Sequence, residues 1–282
     1  MGTAVELIAA RLGLERWRAA LPQDARVFQI LFLASLLSVG VLTRDFTLRW
    51  EQMALTFAAG LMTQVFALHR LGLPNGSYLS AVVTCFGLSI LVRADSLWVH
   101  PLVAAIAIGS KFVLRVNGKH LYNPANLGVM VALILLPGAW VSPGQWGHDL
   151  VAAGWFLMLG SVVTGRARRW DVSWMFLGCF LGMVALRMLV LGQNPWVFVH
   201  QLGNGALLLF TFFMISDPMT IPNHRRARLL YAAIVAACAI FWQYGLYRPN
   251  ALVWALFLCT PLVPLLDRWW PAPKFQWRPA TG

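Results

Sequence analysis

The segment Lys111-Phe-Val-Leu-Arg-Val-Asn-Gly-Lys-His-Leu-Tyr-Asn-Pro-Ala-Asn-Leu-Gly128 interrupts a chain that is otherwise strongly apolar. It places two lysines, an arginine, a histidine, three asparagines and a tyrosine between two apolar runs. Ionisable and polar groups are expensive in such surroundings, and where they occur they usually line a site. The segment therefore predicts a binding site, and anionic cofactors or headgroups are the candidate ligands.

The composition of the whole chain predicts a membrane protein. Of the 282 residues, 59% are hydrophobic and 11% are charged, and the mean hydropathy is +0.68. The chain divides into ten apolar runs of roughly membrane-spanning length, and the charges fall almost wholly between them. We therefore expect an all-α polytopic membrane protein with about ten transmembrane helices. The runs cover residues 27–43, 53–70, 77–92, 97–114, 127–141, 149–164, 172–192, 199–216, 228–247 and 251–267.

The distribution of Lys and Arg predicts the orientation. If the N-terminus is cytoplasmic, most of these cations lie in cytoplasmic loops, and the outer loops hold only Arg44, Arg49, Arg93 and Arg248. This asymmetry follows the positive-inside rule and predicts that both termini lie on the cytoplasmic side of the inner (cytoplasmic) membrane. The predicted divisions are a cytoplasmic amphipathic segment at residues 1–26, a single transmembrane domain at 27–267 and a cytoplasmic tail at 268–282.

A weak internal repeat is also present. Leu121-Tyr-Asn-Pro-Ala-Asn-Leu127 resembles Leu246-Tyr-Arg-Pro-Asn-Ala-Leu252. The same spacing carries the first apolar run onto the sixth, the third onto the eighth and the fifth onto the tenth, and it matches the second and fourth runs more loosely. Because each repeat holds an odd number of spans, the second copy must be inverted, and inverted repeats place a site where the halves meet. The repeats are predicted to cover residues 27–141 and 149–267.

A second polar cluster follows the eighth apolar run. It reads Ile215-Ser-Asp-Pro-Met-Thr-Ile-Pro-Asn-His-Arg-Arg226 and contains the acidic residue Asp217. A carboxylate that closes a membrane helix and is followed by two prolines predicts a rigid turn. Asp217 can either pair with Lys111, Arg115 or Lys119 across the repeat interface or cap its own turn.

Together the two clusters resemble the RnfD/NqrB family, the flavin-carrying membrane subunits of ion-pumping Rnf and Na⁺-translocating NADH:quinone oxidoreductase complexes. The family pattern is a Lys about a dozen residues before an Asn-Pro-Ala tract, followed later by Asp-Pro-x-Thr. The resemblance implies a fold similar to urea and ammonium channels, with two inverted five-helix repeats. The positions that match are Lys111, Asn123, Pro124, Ala125, Gly128, Asp217, Pro218 and Thr220.

One departure from the family concerns the flavin. Family members carry a Ser-Gly-Ala-Thr-like sequence between spans five and six, and its Thr is esterified to FMN. The connection here, Trp140-Val-Ser-Pro-Gly-Gln-Trp-Gly-His-Asp149, contains no threonine, and Thr164 lies at the opposite end of the sixth run. The resemblance therefore implies a divergent member without the covalent-flavin motif, which holds FMN or riboflavin non-covalently or has lost the cofactor.

A non-covalent flavin requires an apolar slot, a stacking partner and donors near N1 and C2=O. Lysine and asparagine side chains of the two clusters are the candidate donors, and Tyr122 or a neighbouring Trp is the candidate stacking partner. The alternative role for Lys111 is to extend its ammonium group to the membrane interface. The predicted cofactor-binding residues are Lys111, Asn117, Lys119, Tyr122, Asn123, Pro124, Asn126, Asp217 and Thr220.

The resemblance implies transmembrane electron transfer, with other membrane redox subunits or a biosynthetic system as partners. No residues for group-transfer catalysis are predicted, because nucleophile-elbow and phosphate-loop patterns are missing from the sequence. No metal ligands are predicted either. The alternatives are a transporter or channel for a small solute or flavin, and a haem protein that uses His100 with His200 or His69 with His120. Nucleic acid is not expected as a partner, because the net charge of +12 is spread over short loops.

Overall fold

The computed structural model describes residues 24–43, 49–73, 77–142 and 150–277. The helices of the first half are α1 Ala25–Thr43, α2 Trp50–Arg70, α3 Leu79–Leu91, α4 Val99–Val113 and α5 Pro124–Leu135. Those of the second half are α6 Leu150–Arg166, α7 Trp170–Val190, α8 Trp196–Leu202, α9 Gly205–Leu209, α10 Arg225–Ile240, α11 Ala251–Cys259 and α12 Leu262–Trp269. Single π-helical turns, Phe210–Met214 and Phe241–Gly245, continue α9 and α10.

Four short strands accompany the helices. The strand β1 (Val92–Ala94) pairs in antiparallel fashion with β4 (Ala139–Val141), and β2 (Arg115–Val116) pairs in the same way with β3 (Lys119–His120). Each ladder satisfies backbone groups where the chain leaves a helix.

Parts of the predicted divisions lie outside the described residues. These parts are residues 1–23 of the amphipathic segment, residues 44–48 and 74–76 of the transmembrane domain, residues 143–149 of the connection between the halves, and residues 278–282 of the tail. The predictions made for them stay predictions.

Every apolar run of the sequence coincides with one helix or with a helix pair in the described residues. Two helices, Trp170–Val190 and Arg225–Gly245, are by themselves long and apolar enough to cross a membrane. Ala251–Cys259 and Leu262–Trp269 form a third crossing if the pair, bent by 49°, is counted as one span. The other apolar helices are shorter. The chain is thus an all-α membrane protein, and the count of ten spans remains a prediction.

The eighth apolar run is broken by a capped helix start. Helix α8 ends at Leu202 and α9 begins at Gly205, and Asn204 lies between them as the N-cap. The Asn204 side-chain oxygen accepts hydrogen bonds from the backbone N–H groups of Ala206 at 2.9 Å and Leu207 at 3.3 Å. Cap residues satisfy the free N–H groups of a first turn in this way. The Asn204 side chain therefore bonds to the helix that it starts.

The polar segment Lys111–Gly128 forms a β-hairpin between α4 and α5. Its turn is Asn117-Gly118, with φ angles of 51° and 78°. Two residues with positive φ define a type I′ turn, and Asn-Gly is the dipeptide that favours it most strongly. Asn117 is therefore explained by the backbone conformation of the turn.

Corresponding helices of the two halves pack in the same order. In the first half α2 packs on α4, α4 on α5, and α1 on α3; in the second half α7 packs on α10, α10 on α11, and α6 on α9. Two further contacts join the halves, between α1 and α6 and between α5 and α11. Helices α1 and α6 come from the first apolar run of each half, and α5 and α11 come from the last.

The contact between α6 and α9 depends on a glycine. A Cβ atom built at Gly160 would lie 2.5 Å from the Cγ atom of Phe212, a distance that real Cβ atoms do not adopt. Phe212 is fully buried and forms part of the core. Small residues let membrane helices approach closely in this manner.

Replacing Gly160 by Ala is expected to lower the stability in detergent by about 1–3 kcal/mol, because Phe212 must move in a packed core. Thermal unfolding would measure the change. Gly154→Ala is the matched control on the same helix, since no atom lies within 4 Å of its built Cβ. Equal shifts for both variants would show that the close approach of α6 and α9 does not matter.

Candidate functional site

A cavity of about 690 Å³ lies between the two halves of the chain. The first half contributes α1, α3, the end of α4 and the start of α5, and the second half contributes α6, α9 and the turn that follows it. Most of the lining is apolar, and a polar group of side chains comes from both sequence clusters. These polar lining residues include Lys111, Arg115, His120, Asn123, Asp217 and Arg26.

Lys111 is the buried cation of this cavity. It lies in the last turn of α4 with 3% of its surface exposed, and its Nζ donates to Ser80 Oγ at 3.3 Å. Within the described ranges no carboxylate lies within 4.0 Å of Nζ, the distance that defines an ion pair. The Asp217 carboxylate acts on this ammonium group only from beyond ion-pair distance, so an anionic or electron-rich ligand in direct contact would further offset the cost of burying it. The alternative role at the membrane interface does not fit this burial.

Asn123 links the two sequence clusters through a hydrogen bond. It is the N-cap of α5, where its Oδ1 accepts from the Asn126 backbone N–H at 3.1 Å and Pro124 occupies the first helical position. That bond directs the Asn123 Nδ2 group outward, and Nδ2 donates to Asp217 Oδ2 at 3.1 Å. The Asn-Pro pair thus starts a helix and at the same time contacts the other half.

Asp217 closes a tight turn after α9. Its Oδ1 accepts from the Met219 backbone N–H at 3.0 Å, and its backbone carbonyl accepts from Thr220 N at 3.1 Å and Thr220 Oγ1 at 3.3 Å. Burial raises the pKa of the Asp217 carboxyl. The hydrogen bonds from Met219 and Asn123 act in the opposite direction and offset only part of this effect. The hydrogen-bond partner of the Asp217 side chain in the other half is thus Asn123, and Lys111 interacts with the carboxylate electrostatically from a longer distance.

His120 is a cavity residue that the flavin prediction left out. Its Nδ1 lies 3.0 Å from the Lys111 backbone oxygen. Burial, together with the cations Lys111 and Arg115, lowers the pKa of His120 to about 4. The ring is therefore neutral near pH 7, its Nδ1–H donates to the carbonyl, and Nε2 is left as an acceptor.

Lys119 lies outside the cavity lining and holds the hairpin to the second half. Its Nζ donates to Ile221 O at 2.6 Å, Asn223 Oδ1 at 3.3 Å and Asp267 Oδ2 at 2.8 Å. Asp267 Oδ1 also accepts from the Asn223 backbone N–H at 2.7 Å. Burial lowers the pKa of Lys119, and the hydrogen bond to Asp267 opposes this effect. This lysine is committed to a structural ion pair.

Two other predicted residues lie between α5 and α11. Tyr122 stacks on Phe257 with ring centroids 4.9 Å apart. Asn126 is fully buried, and with its oxygen turned toward α11 it accepts from Phe257 N and donates to Val253 O, both at 3.2 Å. Both side chains therefore stabilise the contact between the halves. Of the predicted set, the structure places Lys111, Asn123, Pro124 and Asp217 in the lining, and places Asn117, Lys119, Tyr122, Asn126 and Thr220 outside it.

Arg26, Asp24, Ser80 and Trp277 also line the cavity and were not predicted. The Arg26 Nε group donates to Asp24 Oδ1 at 3.0 Å and to Asp24 Oδ2 at 3.1 Å, so this arginine is neutralised locally. Apart from the Asp-x-Arg spacing, no local motif marks these residues, and only the fold brings them to the cavity.

Comparison with known families gives the relationship. Residues 144–276 match the NQR2, RnfD, RnfE family. Over this stretch the chain is similar to the family. The match includes the Asp217 turn and α6 to α12, whereas the Asn123 tract precedes it. The sequence motifs suggested a resemblance to this family over most of the chain, and the family match confirms it for the second half.

Curated relatives are named as one of the subunits of an ion-translocating oxidoreductase complex. The chain is 32% identical over 132 residues to the relative from Stutzerimonas stutzeri, covering 45% of this chain and 35% of the relative. It is 28% identical over 154 residues to the relative from Cronobacter sakazakii (strain ATCC BAA-894), covering 54% and 42%. The matched region therefore spans less than half of the length of these relatives.

The two roles of Asn123 can be separated by substitution. Asn123→Ser keeps an N-cap side chain but loses the bond to Asp217, whereas Asn123→Ala loses both. We expect Asn123→Ala to cost about 1 kcal/mol more stability than Asn123→Ser, since that is the usual value of a cap. Denaturant unfolding in mixed micelles measures both. In an Asp217→Ala background Asn123→Ser should have little further effect, and a full additional loss there would rule out the inter-half bond.

The ion pair of Lys119 and Asp267 can be tested in the same assay. Lys119→Met is expected to cost about 2–4 kcal/mol, because it leaves a buried carboxylate without its counter-charge. Adding Asp267→Leu should restore part of the loss, since the orphaned charge is removed. Lys274→Met, at an exposed lysine, serves as the control. If Lys119→Met and Lys274→Met behave alike, Lys119 does not hold the halves together.

Proposed function

We propose that this chain is an electron-transfer subunit of the membrane that holds a non-covalent flavin, FMN or riboflavin, in the cavity between its halves. The observation that carries the proposal is Lys111, a buried cation without a carboxylate partner among the described residues, at a cavity that Asp217 also lines. Both residues belong to the two clusters on which the family resemblance rests. A bound flavin supplies one- and two-electron chemistry.

The residues of the cavity fit an isoalloxazine ring. The volume lies within the range of about 300–1,000 Å³ that is typical of small-molecule sites, and its lining is mostly apolar with a few polar groups. Lys111 would stabilise negative charge on a reduced ring, and the neutral His120 offers an acceptor to a ring N–H. The raised pKa of Asp217 suits a carboxyl that holds or releases a proton at Oδ2 or Oδ1.

The local chemistry of Thr164 supports non-covalent binding. Thr164 lines the cavity, but its hydroxyl donates to Gly160 O at 2.9 Å within α6. The hydroxyl is thus occupied by its own helix, as buried threonines in membrane helices commonly are. The connection between the halves contains no threonine in its sequence.

We further infer ten spans arranged as two inverted repeats, as the resemblance implies. The support is the equivalent packing order of the two halves and the contacts between equivalent helices. The loops that flank the cavity are rich in Lys and Arg, which places this face in the cytoplasm by the positive-inside rule. Both termini would then lie on the cytoplasmic side of the inner membrane.

The proposed partners are the lipid bilayer and other membrane redox subunits. The relatives are named as subunits of an ion-translocating complex. Exposed apolar side chains on the helices, among them Leu189 and Val190, would contact lipid or neighbouring subunits. A role in a biosynthetic system would use the same electron-transfer site with different neighbours.

Flavin binding tests the proposal directly. Protein purified in mild detergent is expected to show visible flavin absorbance, or to gain it when FMN or riboflavin is added. Lys111→Met should weaken the measured affinity by about tenfold or more, since a charged hydrogen bond is lost. Arg70→Met, at an exposed cation outside the lining, is the control with the same change in net charge. If the wild-type protein binds neither flavin, the proposal fails.

A transporter or channel for a small solute or flavin is the second candidate. The cavity between the halves, together with the helix breaks at Gly203–Asn204 and Thr260–Pro261, favours it, because inverted-repeat transporters bind substrates at such discontinuities. Proteoliposome uptake of labelled riboflavin and small polar solutes distinguishes the two functions. Uptake that Lys111→Ala abolishes would support transport, whereas flavin that stays bound and is reduced without uptake would support electron transfer.

A further inference from the structure

The segment Pro271–Trp277, here called the C-terminal strap, follows α12 and returns to the cavity of the proposed flavin site. We propose that the strap forms a removable wall of this cavity and that Trp277 is the aromatic surface on which a planar ligand stacks. The identity of the ligand rests on the proposed function, whereas closure of the cavity by the strap does not.

Trp277 is held at the cavity by a fixed cation. Its ring centroid lies 4.4 Å from Arg26 Cζ, and Arg26 is itself held by the Asp24 carboxylate. All three side chains line the cavity. A desolvated guanidinium group attracts an aromatic face more strongly than an exposed one. This contact therefore gives the indole ring a defined position.

A second contact directs the strap toward the cavity. The Phe275 ring centroid lies 5.0 Å from Arg169 Cζ, and the Phe275 and Trp277 rings meet edge to face with centroids 4.8 Å apart. Phe275 and Trp277 are partly buried, while Lys274 and Gln276 are exposed. An extended chain places alternate side chains on opposite sides, so the two aromatic rings face the protein.

The attachment of the strap is weak enough to be reversible. Residues 271–277 contain no helix or strand, and no hydrogen bond between described backbone groups involves them. Pro271 and Pro273 have no N–H donor. A segment held mainly by ring contacts at the surface opens at low free energy compared with the core. The wall can therefore move without unfolding the helices.

Two other aromatic residues of the lining, Phe212 and Phe213, already contact other rings. Phe213 is stacked face to face on Phe32 with centroids 4.7 Å apart, and Phe212 meets Trp174 edge to face. Tyr122, the stacking partner expected from the sequence, is stacked on Phe257 outside the cavity. Trp277 lines the cavity and belongs to a segment for which no hydrogen bond between described backbone groups is found. A wall that opens and stacks on a ligand requires both properties.

Closure is tested by labelling, without any flavin. Gln29 lines the cavity one helical turn beyond Arg26, so Gln29→Cys reports access to the interior. Its reaction with a membrane-impermeant maleimide, followed by peptide mass spectrometry, should be at least about fivefold faster when Trp277→Ala is added. Trp269→Ala, which removes an exposed tryptophan outside the lining, should leave the rate unchanged. Equal rates with and without Trp277 would overturn closure by the strap.

Stacking is tested by flavin affinity and dissociation rate. Trp277→Ala should raise the dissociation rate by about tenfold, and Trp277→Phe should restore most of the retention because it keeps an aromatic face. Loss of retention in both variants, or in neither, would overturn the stacking role. A wild-type protein that binds no flavin would remove the proposed function and the stacking role together, while the labelling rates still decide closure.

Discussion

The hydrogen bond from Asn123 to Asp217 is the interaction on which the arrangement of the site depends. Each residue first serves its own element, because Asn123 caps α5 and Asp217 closes the turn after α9. The bond between them then joins the halves at the polar end of the cavity, beside the contacts of Lys119. Both ends are preorganised by local backbone contacts, so little conformational freedom is lost when the halves meet.

Among the described residues, Lys111 has no carboxylate within ion-pair distance, unlike Lys119 and Arg26. Lys119 forms an ion pair with Asp267, and Arg26 forms an ion pair with Asp24. Lys111 contacts a neutral hydroxyl among the described residues, although it is the most buried of the three. Buried ionisable groups that lack a direct ion-pair partner cluster at functional sites, and this distribution is the physical basis for assigning the site to the cavity.

Much of the helical fold could be predicted from the sequence, and so could part of the site. Apolar runs located the helices because lipid-facing and core-facing residues alike must be apolar. Tyr122, Asn126 and Lys119 were predicted as ligand contacts because residue type alone does not show which way a side chain points. Trp277 was missed because it lies far along the chain from the other lining residues.

The sequence by itself determined that this protein is an all-α membrane protein, where its helices lie, and that two polar clusters matter. It did so because hydrophobicity, turn preference and capping are local properties of the chain. Only the tertiary structure decided which members of the clusters meet, since that depends on helix packing over long sequence separations. The contact of α5 with α11 buries Tyr122 and Asn126, whereas the contact of α1 with the strap brings Arg26 and Trp277 to the cavity.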